Sequence, residues 1–307
     1  MPKEDQALEV DGATCVHRRR GDLDMGRFNH PSTTCEVDMN RRDLIKIASI
    51  AAASGAVETA LSSPRAAKAA AGNKPFVLVH GAWHGGWCWR RVVPLLAAAA
   101  RPVHVVTLTG LGERAHLAKA VTGLATHVDD VASLIECEEL NDIVLVGHSY
   151  AGFLITGLAD RMAGRVAHLV FVDAFVPDNG DVWERYHAPE LAKKNKDAAA
   201  AGDGIGMPPL AAKYFGITDA DDLAWVDRRL TPHPVVTYTD KLVLKNPPRN
   251  GVPSTFIDCY QPALASISRS KAKVQAEQGW TYRKLATGHD CMVTAPRALA
   301  DLLLAIG

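Results

Sequence analysis

From residue 76 onward, short apolar runs recur along the chain and alternate with longer amphipathic stretches. The runs cover residues 76–80, 103–108, 143–146, 166–175 and 254–258, and a more polar run at 281–285 completes the series. Most carry Val, Leu, Ile or Phe at consecutive positions, which is the signature of strands buried on both faces. Residues 87–100, 126–138, 151–162 and 296–306 are spaced as helices, with Pro94 a kink point inside the first. Strands alternating with helices predict an α/β fold, a mostly parallel, doubly wound sheet covered by helices on both faces. Residues 177–250 interrupt the rhythm. They are rich in Pro, Asp and Ala, with Trp183, Tyr186, Tyr214, Phe215, Trp225 and Tyr238 scattered among them, and hold no apolar strand run. An insertion placed after the strand that follows helix 151–162 predicts a helical cap over the carboxyl ends of the strands, where open α/β sheets bind ligands.

The N-terminal part has a different character. Residues 1–38 are polar and show no period of 2 or 3.6, so they read as a disordered extension or as the product of an upstream start site. Met39 opens a new pattern: Arg41-Arg42, then Leu44-Ile45-Lys46, an uncharged run from Ile47 to Val57, and an Ala-rich stretch ending at Ala71. A basic pair, a short apolar run and small residues before a cleavage point form a secretory signal, and the adjacent arginines resemble a twin-arginine export signal. Translation from Met39, cleavage near Ala71 and a periplasmic or extracellular mature domain over 72–307 are the expectation.

Charge and composition narrow the class. The chain has 34 basic and 34 acidic residues, so it offers no electrostatic footprint for nucleic acid. Hydrophobic residues make up 48% and charged residues 22%, which argues against disorder and against a disulfide-bonded miniprotein. No uncharged apolar run approaches the roughly 18 residues of a membrane span. Cys88, Cys137, Cys259 and Cys291 form no C-x-x-C pair, so no zinc site is expected. Cys259 and Cys291 both fall at strand ends. Export would permit them to pair, but free buried thiols are the expectation.

Candidate chemistry concentrates at the ends of the predicted strands. In Val144-Leu145-Val146-Gly147-His148-Ser149-Tyr150-Ala151-Gly152, a buried strand runs into a sharp turn with a helix behind it. Small residues at Gly147 and Ala151 let strand and helix backbones approach, and the turn holds the Ser149 hydroxyl clear of the sheet. A serine nucleophile needs a base. Of twelve histidines, His289 follows the last strand in Thr287-Gly288-His289-Asp290, at the same sheet edge as Ser149. The glycine-rich His80-Gly81-Ala82-Trp83-His84-Gly85-Gly86 follows the first strand, and we assign the backbone N–H groups of Ala82 and Tyr150 to an oxyanion site. His148 is expected to point away, while His80 and His84 are expected to shape the wall or bond locally. No G-x-G-x-x-G or P-loop lysine accompanies the glycines, which disfavours nucleotide binding.

These three segments together resemble the α/β-hydrolase superfamily over residues 74–307. The first motif is similar to the branch of plant methylesterases, hydroxynitrile lyases and bacterial carboxylesterases, including pyrethroid-hydrolysing ones. The resemblance implies a Ser-His-acid triad, a lid and ester hydrolysis as the leading activity, a cycle that requires no metal or organic cofactor; the aromatics of residues 177–250 and Met207-Pro208-Pro209-Leu210 suggest a small ester with an apolar acyl or alcohol group. The acid usual in the family would fall at Gln261 or Pro262, and neither can orient an imidazolium. Some α/β-hydrolases take the acid from the end of the strand after the nucleophile helix, which here is Asp173; Asp258 is the alternative, followed by Asp178. Lyases of the branch carry Thr and Lys where this chain has Gly81 and Asp290, which disfavours cyanide chemistry. A non-catalytic hydrolase-like receptor, a cofactor-free perhydrolase and a carbon–carbon hydrolase remain as alternatives. The implied partner is a small-molecule ester, with no nucleic acid and no membrane span; oligomeric state is not legible.

Overall fold

A computed structural model describes residues 73–306. The expected extension over 1–38 and export signal over 39–71 lie outside the described residues. In chain order the first half holds β1 (Phe76–Val79), α1 (Val93–Ala98), β2 (Val103–Val106), α2 (Leu124–Cys137), β3 (Ile143–His148), α3 (Ala151–Met162) and β4 (Val166–Val172). The second half holds α4 (Pro189–Ala201), β5 (Gly206–Met207), α5 (Ala220–Asp227), β6 (His233–Pro234), α6 (Val236–Thr239), β7 (Ser254–Cys259), α7 (Ser268–Ala276), β8 (Trp280–Leu285), α8 (Cys291–Thr294) and α9 (Pro296–Leu304).

Six strands form one parallel sheet in the order β2-β1-β3-β4-β7-β8. Alternate residues feed two separate cores. Val77 and Val79 face the side covered by α2 and α3, whereas Phe76 and Leu78 face the side covered by α1 and α9. That division explains why the strand runs are apolar at every position. On α2, Val128, Val131, Ala132 and Ile135 form the buried stripe, spaced for one helical face.

Two elements differ from the sequence reading. The segment over 87–100 is not one kinked helix. A 3₁₀ turn over Gly86–Arg91 comes first, and Pro94 then sits in the first turn of α1, where its missing N–H leaves no hydrogen bond unmade. Helix α7 was not anticipated; its residues are mostly polar, and only Ser270 and Val274 are buried. Between β4 and β7 the chain carries α4, α5 and α6 and one short antiparallel ladder, Met207 opposite His233. This region docks on the loop after β1: Trp83 Nε1 donates to the Met207 carbonyl at 3.0 Å, and Thr231 N donates to the Trp83 carbonyl at 2.9 Å.

The sheet order reverses between β1 and β3, so β2 lies on one side of β1 and the later strands on the other. Loops leaving β1 and β3 therefore diverge and open a crevice at the carboxyl edge. Close packing beneath that crevice demands small residues. A Cβ on Gly147 would meet Ile155 Cγ2 at 2.9 Å, and one on Gly152 would clash with the Phe175 carbonyl oxygen. Gly152→Ala is therefore expected to lower the thermal midpoint by several degrees, reflecting roughly 1–3 kcal/mol of overpacking. Gly164→Ala, where a Cβ meets nothing within 4 Å, should leave the midpoint unchanged in the same melting experiment.

Candidate active site

The strand register brings the candidate residues together. His148 pairs with Val172 across β3 and β4, and the next amide, Ser149 N, donates to the Val172 carbonyl at 3.2 Å. One step further, Asp173 N donates to the Ile257 carbonyl of β7 at 2.8 Å. Ser149 and Asp173 thus continue adjacent ladders past their strand ends. His289 reaches the same edge from β8, four residues beyond Leu285. Each turn departs from ordinary backbone: φ is +54° at Ser149, +40° at Asp173 and +63° at Trp83. Side chains rarely adopt this region, and such residues persist where the surrounding structure over-determines them.

His289 Nδ1 donates to Asp173 Oδ2 at 2.7 Å, with the histidine 2% exposed and the aspartate fully buried. A carboxylate only accepts, so the ring proton lies on Nδ1 and the Nε2 lone pair is left free. Asp258, the alternative acid, lies within β7, bonded to the Tyr282 hydroxyl at 2.8 Å and ion-paired with Lys271 at 2.5 Å. Asp178 pairs with Lys273 at 2.6 Å with a half-exposed side chain. The acid hydrogen-bonded to His289 is therefore Asp173.

Around the loop after β1, histidines fix peptide planes. His80 Nε2 accepts from Leu108 N at 3.1 Å, so Nδ1 carries the proton and donates to the Gly81 carbonyl at 2.8 Å. That carbonyl shares its peptide plane with Ala82 N–H, which fixes where the amide points. Burial drives the His80 pKa down to about 3, and the ring is neutral. His84 donates from Nδ1 to the Ala82 carbonyl at 2.7 Å and from Nε2 to Asp290 Oδ2 at 3.0 Å. Two acceptors require both nitrogens to be protonated. Burial opposes that charge, but Asp290 outweighs it and the His84 pKa is raised. Among the described residues, neither Ala82 N nor Tyr150 N donates a hydrogen bond. A Cβ on Gly81 would meet Ser149 Cβ at 2.9 Å, so the loop lies directly against the serine turn.

His148 does not turn away from the site as expected. Its Nε2 donates to the His289 carbonyl at 3.1 Å and its ring centroid lies 4.5 Å from that of His289. Burial holds its pKa well below the ordinary value, so it packs as a neutral ring. Ligand-type atoms of His148, His289 and Asp290 fall within 4.8 Å of one another. Each residue already makes a hydrogen bond, to the His289 carbonyl, Asp173 and His84 respectively. Cys259 and Cys291 are free and buried.

A pocket of about 240 Å³ opens onto His289, lined by Tyr214, Phe215, Gly216, Pro262, Ala263 and Leu264. A larger hollow of about 430 Å³ lies between α2, α3 and residues 240–245, and it touches none of the candidate residues. Beside the serine turn, Tyr150 packs against His233 and Trp183 at centroid distances of 4.7 and 4.9 Å, closing that side with aromatic surface. No described helix is long and apolar enough to cross a membrane.

Comparison with known proteins agrees with this architecture. The model of the alpha/beta hydrolase family matches residues 76–302. A carbendazim hydrolyzing esterase of Nocardioides sp. (strain SG-4G) is 42% identical over 243 residues, covering 76% of this chain and 99% of that relative. Methylesterase 2 of Arabidopsis thaliana is 32% identical over 257 residues, 75% of this chain and 95% of its own length. Among solved structures, an extracellular alpha/beta-hydrolase from a Paenibacillus species superposes with a TM-score of 0.68 over 76% of this chain and 99% of its own. Its 19% identity makes that a likeness of fold.

The His84–Asp290 pair yields a stability prediction. A histidine whose folded pKa is raised contributes stability that is fully present below its ordinary pKa of 6.5 and is lost as pH rises through the folded value. Asp290→Asn should therefore destabilise by ~3 kcal/mol at about pH 6 and by progressively less as pH rises through the folded value, read from denaturant midpoints. A penalty that grows as pH rises would contradict the charged pair.

Proposed function

The chain belongs to the alpha/beta hydrolase family, and from that membership we propose that it hydrolyses carboxylic esters through an acyl-enzyme on Ser149. One observation carries the reading: the buried His289–Asp173 hydrogen bond at the sheet edge to which the strained Ser149 turn also belongs. His289 Nε2 takes the Ser149 proton as Oγ attacks the ester carbonyl. The amides of Ala82 and Tyr150 receive the developing oxyanion, and both are spare donors already oriented by the fold. The tetrahedral adduct then collapses, the C–O bond to the alcohol breaks, and His289 returns the proton to the departing alcohol. Water enters, gives a proton to His289 and attacks the acyl group; collapse releases the acid and restores Ser149. Asp173 stays a carboxylate throughout, holding the ring and pairing with the imidazolium as it forms.

The apolar lining and the modest volume of the pocket at His289 support a small, apolar acyl or alcohol group. The two relatives described above are named as esterases, one for carbendazim and one as a methylesterase, which supports the same class of reaction. Export through the twin-arginine route is part of the proposal and rests on the Arg41-Arg42 pattern alone.

Two experiments test the proposal. Residues 72–307 should hydrolyse short p-nitrophenyl esters faster than long ones. Ser149→Ala should abolish turnover, and Asp173→Asn should lower kcat by up to ~10⁴ while Asp258→Asn costs far less. Full activity in Ser149→Ala would overturn the mechanism. A folded but inactive parent would favour the receptor, perhydrolase or carbon–carbon hydrolase readings. For export, a reporter fused behind residues 39–71 should leave the cytoplasm of a bacterium with a twin-arginine pathway, and replacing both Arg41 and Arg42 by Lys should retain it inside.

A further inference from the structure

A half-buried ammonium lies behind the Asp173 carboxylate, and neither the motifs nor the proposed cycle assigns it a task. Lys271 projects from α7 with its side chain 13% exposed. Its Nζ lies 3.0 Å from Asp173 Oδ1 and 2.5 Å from Asp258 Oδ1, and it donates to the Cys259 carbonyl at 2.9 Å. Two ion pairs and one hydrogen bond thus surround the ammonium. Burial alone would loosen the Lys271 proton, but Asp173 and Asp258 outweigh it and the pKa is raised. Each carboxylate has a second partner: Asp173 Oδ2 takes the His289 ring at 2.7 Å, and Asp258 Oδ2 takes the Tyr282 hydroxyl at 2.8 Å. The groups form a chain, His289–Asp173–Lys271–Asp258–Tyr282, that runs from the site into the sheet edge.

The charges in this chain are matched to the proposed cycle. Two carboxylates and one ammonium carry net charge −1 at rest, and protonation of His289 brings the cluster to zero. With Lys271 but without Asp258, the same step would build net positive charge in a buried site. With both carboxylates but without Lys271, two buried anions would face each other unpaired, which is costly.

We propose that Lys271 and Asp258 are a matched pair of positioning residues: Lys271 aligns and charge-pairs Asp173, and Asp258 returns the negative charge that Lys271 removes. The proposal rests on the reading of Ser149, His289 and Asp173 as the triad.

Other groups that could titrate near His289 come from every neighbouring element. His148 faces it from the end of β3, and Asp290, its chain neighbour, is neutralised by His84 from the loop after β1. Cys259 from β7 is a thiol whose proton is held tightly by its contact with Cys291 of α8 and by burial. His80, behind the Gly81 peptide, is neutral. Lys271 and Asp258 are therefore the charged pair whose removal changes the field on His289 through Asp173.

The test is the pH profile of kcat/KM for ester hydrolysis in the mature domain. Lys271→Met should move the acid limb to higher pH by about one unit, because an uncompensated Asp258 adds negative charge. Asp258→Asn should move it to lower pH by a similar amount, because Lys271 then loses its counter-charge. The double variant should return close to the wild-type limb, and Lys271→Arg should retain it. A purely structural role would lower activity without moving the limb in opposite senses. Asp258→Asn keeps an oxygen for Tyr282, so it decides the proposal even if Lys271→Met fails to fold. Unmoved limbs, or shifts in the same sense, with Asp173→Asn severely impaired, would overturn this inference and leave the triad standing. Near-wild-type activity in Asp173→Asn would overturn both.

Discussion

A carboxylate with no exposure to solvent sits at the end of β4, and the carboxyl edge of the sheet is arranged around it. Burying an unpaired carboxylate is costly, so Asp173 draws partners from every element within reach. His289 comes from the loop after β8, Lys271 from α7, and the Cys259 amide from β7 at 3.3 Å. These contacts tie β4 to β8 across the intervening β7. Ser149 is fixed to the same point, because its amide bonds the residue that precedes Asp173. The positions of the proposed nucleophile and acid are thus anchored to the sheet.

Strain is stored at the same edge. Trp83, Ser149 and Asp173 all have positive φ, each costing of order 1–3 kcal/mol in the folded chain. The packing beneath offsets it: Tyr150, Ala151 and Phe153 are fully buried just past the serine. Buried histidines add rigidity. The neutral His80 and the charged His84 hold successive peptide planes of the first-motif loop, and His148 holds the His289 carbonyl. These rings act on backbone groups, so their contribution is the direction of N–H groups rather than proton transfer.

Much of this was legible because the physics is local. Runs such as Phe76–Val79 and Ile143–Val146 are apolar at each position, and a strand with both faces covered has few other solutions. Ser149 and His289 stood out because small residues and a following helix mark a sharp turn at a strand end. The segment over 87–100 was misread because a 3₁₀ turn leading into a helix carries nearly the same periodicity as one helix. His148 was misread because alternation along a strand does not determine where a ring at its last residue turns. Helix α7 left the weakest trace: it buries two residues of nine, too few for an apolar stripe. One topological argument would have found it, since parallel neighbours such as β7 and β8 need a crossover between them. Missing that helix hid Lys271, and with it the reason why two aspartates compete for one place in the site.

In the proposed cycle Ser149 forms a covalent acyl intermediate under the control of His289 and Asp173. Rapid acid quench of residues 72–307 during turnover of a p-nitrophenyl ester, followed by mass spectrometry of the peptides, tests it. A burst of about one p-nitrophenolate per enzyme and an acyl mass on the peptide that carries Ser149 are expected. Turnover with no acyl-enzyme at any quench time, or an acyl group on a different residue, would contradict it.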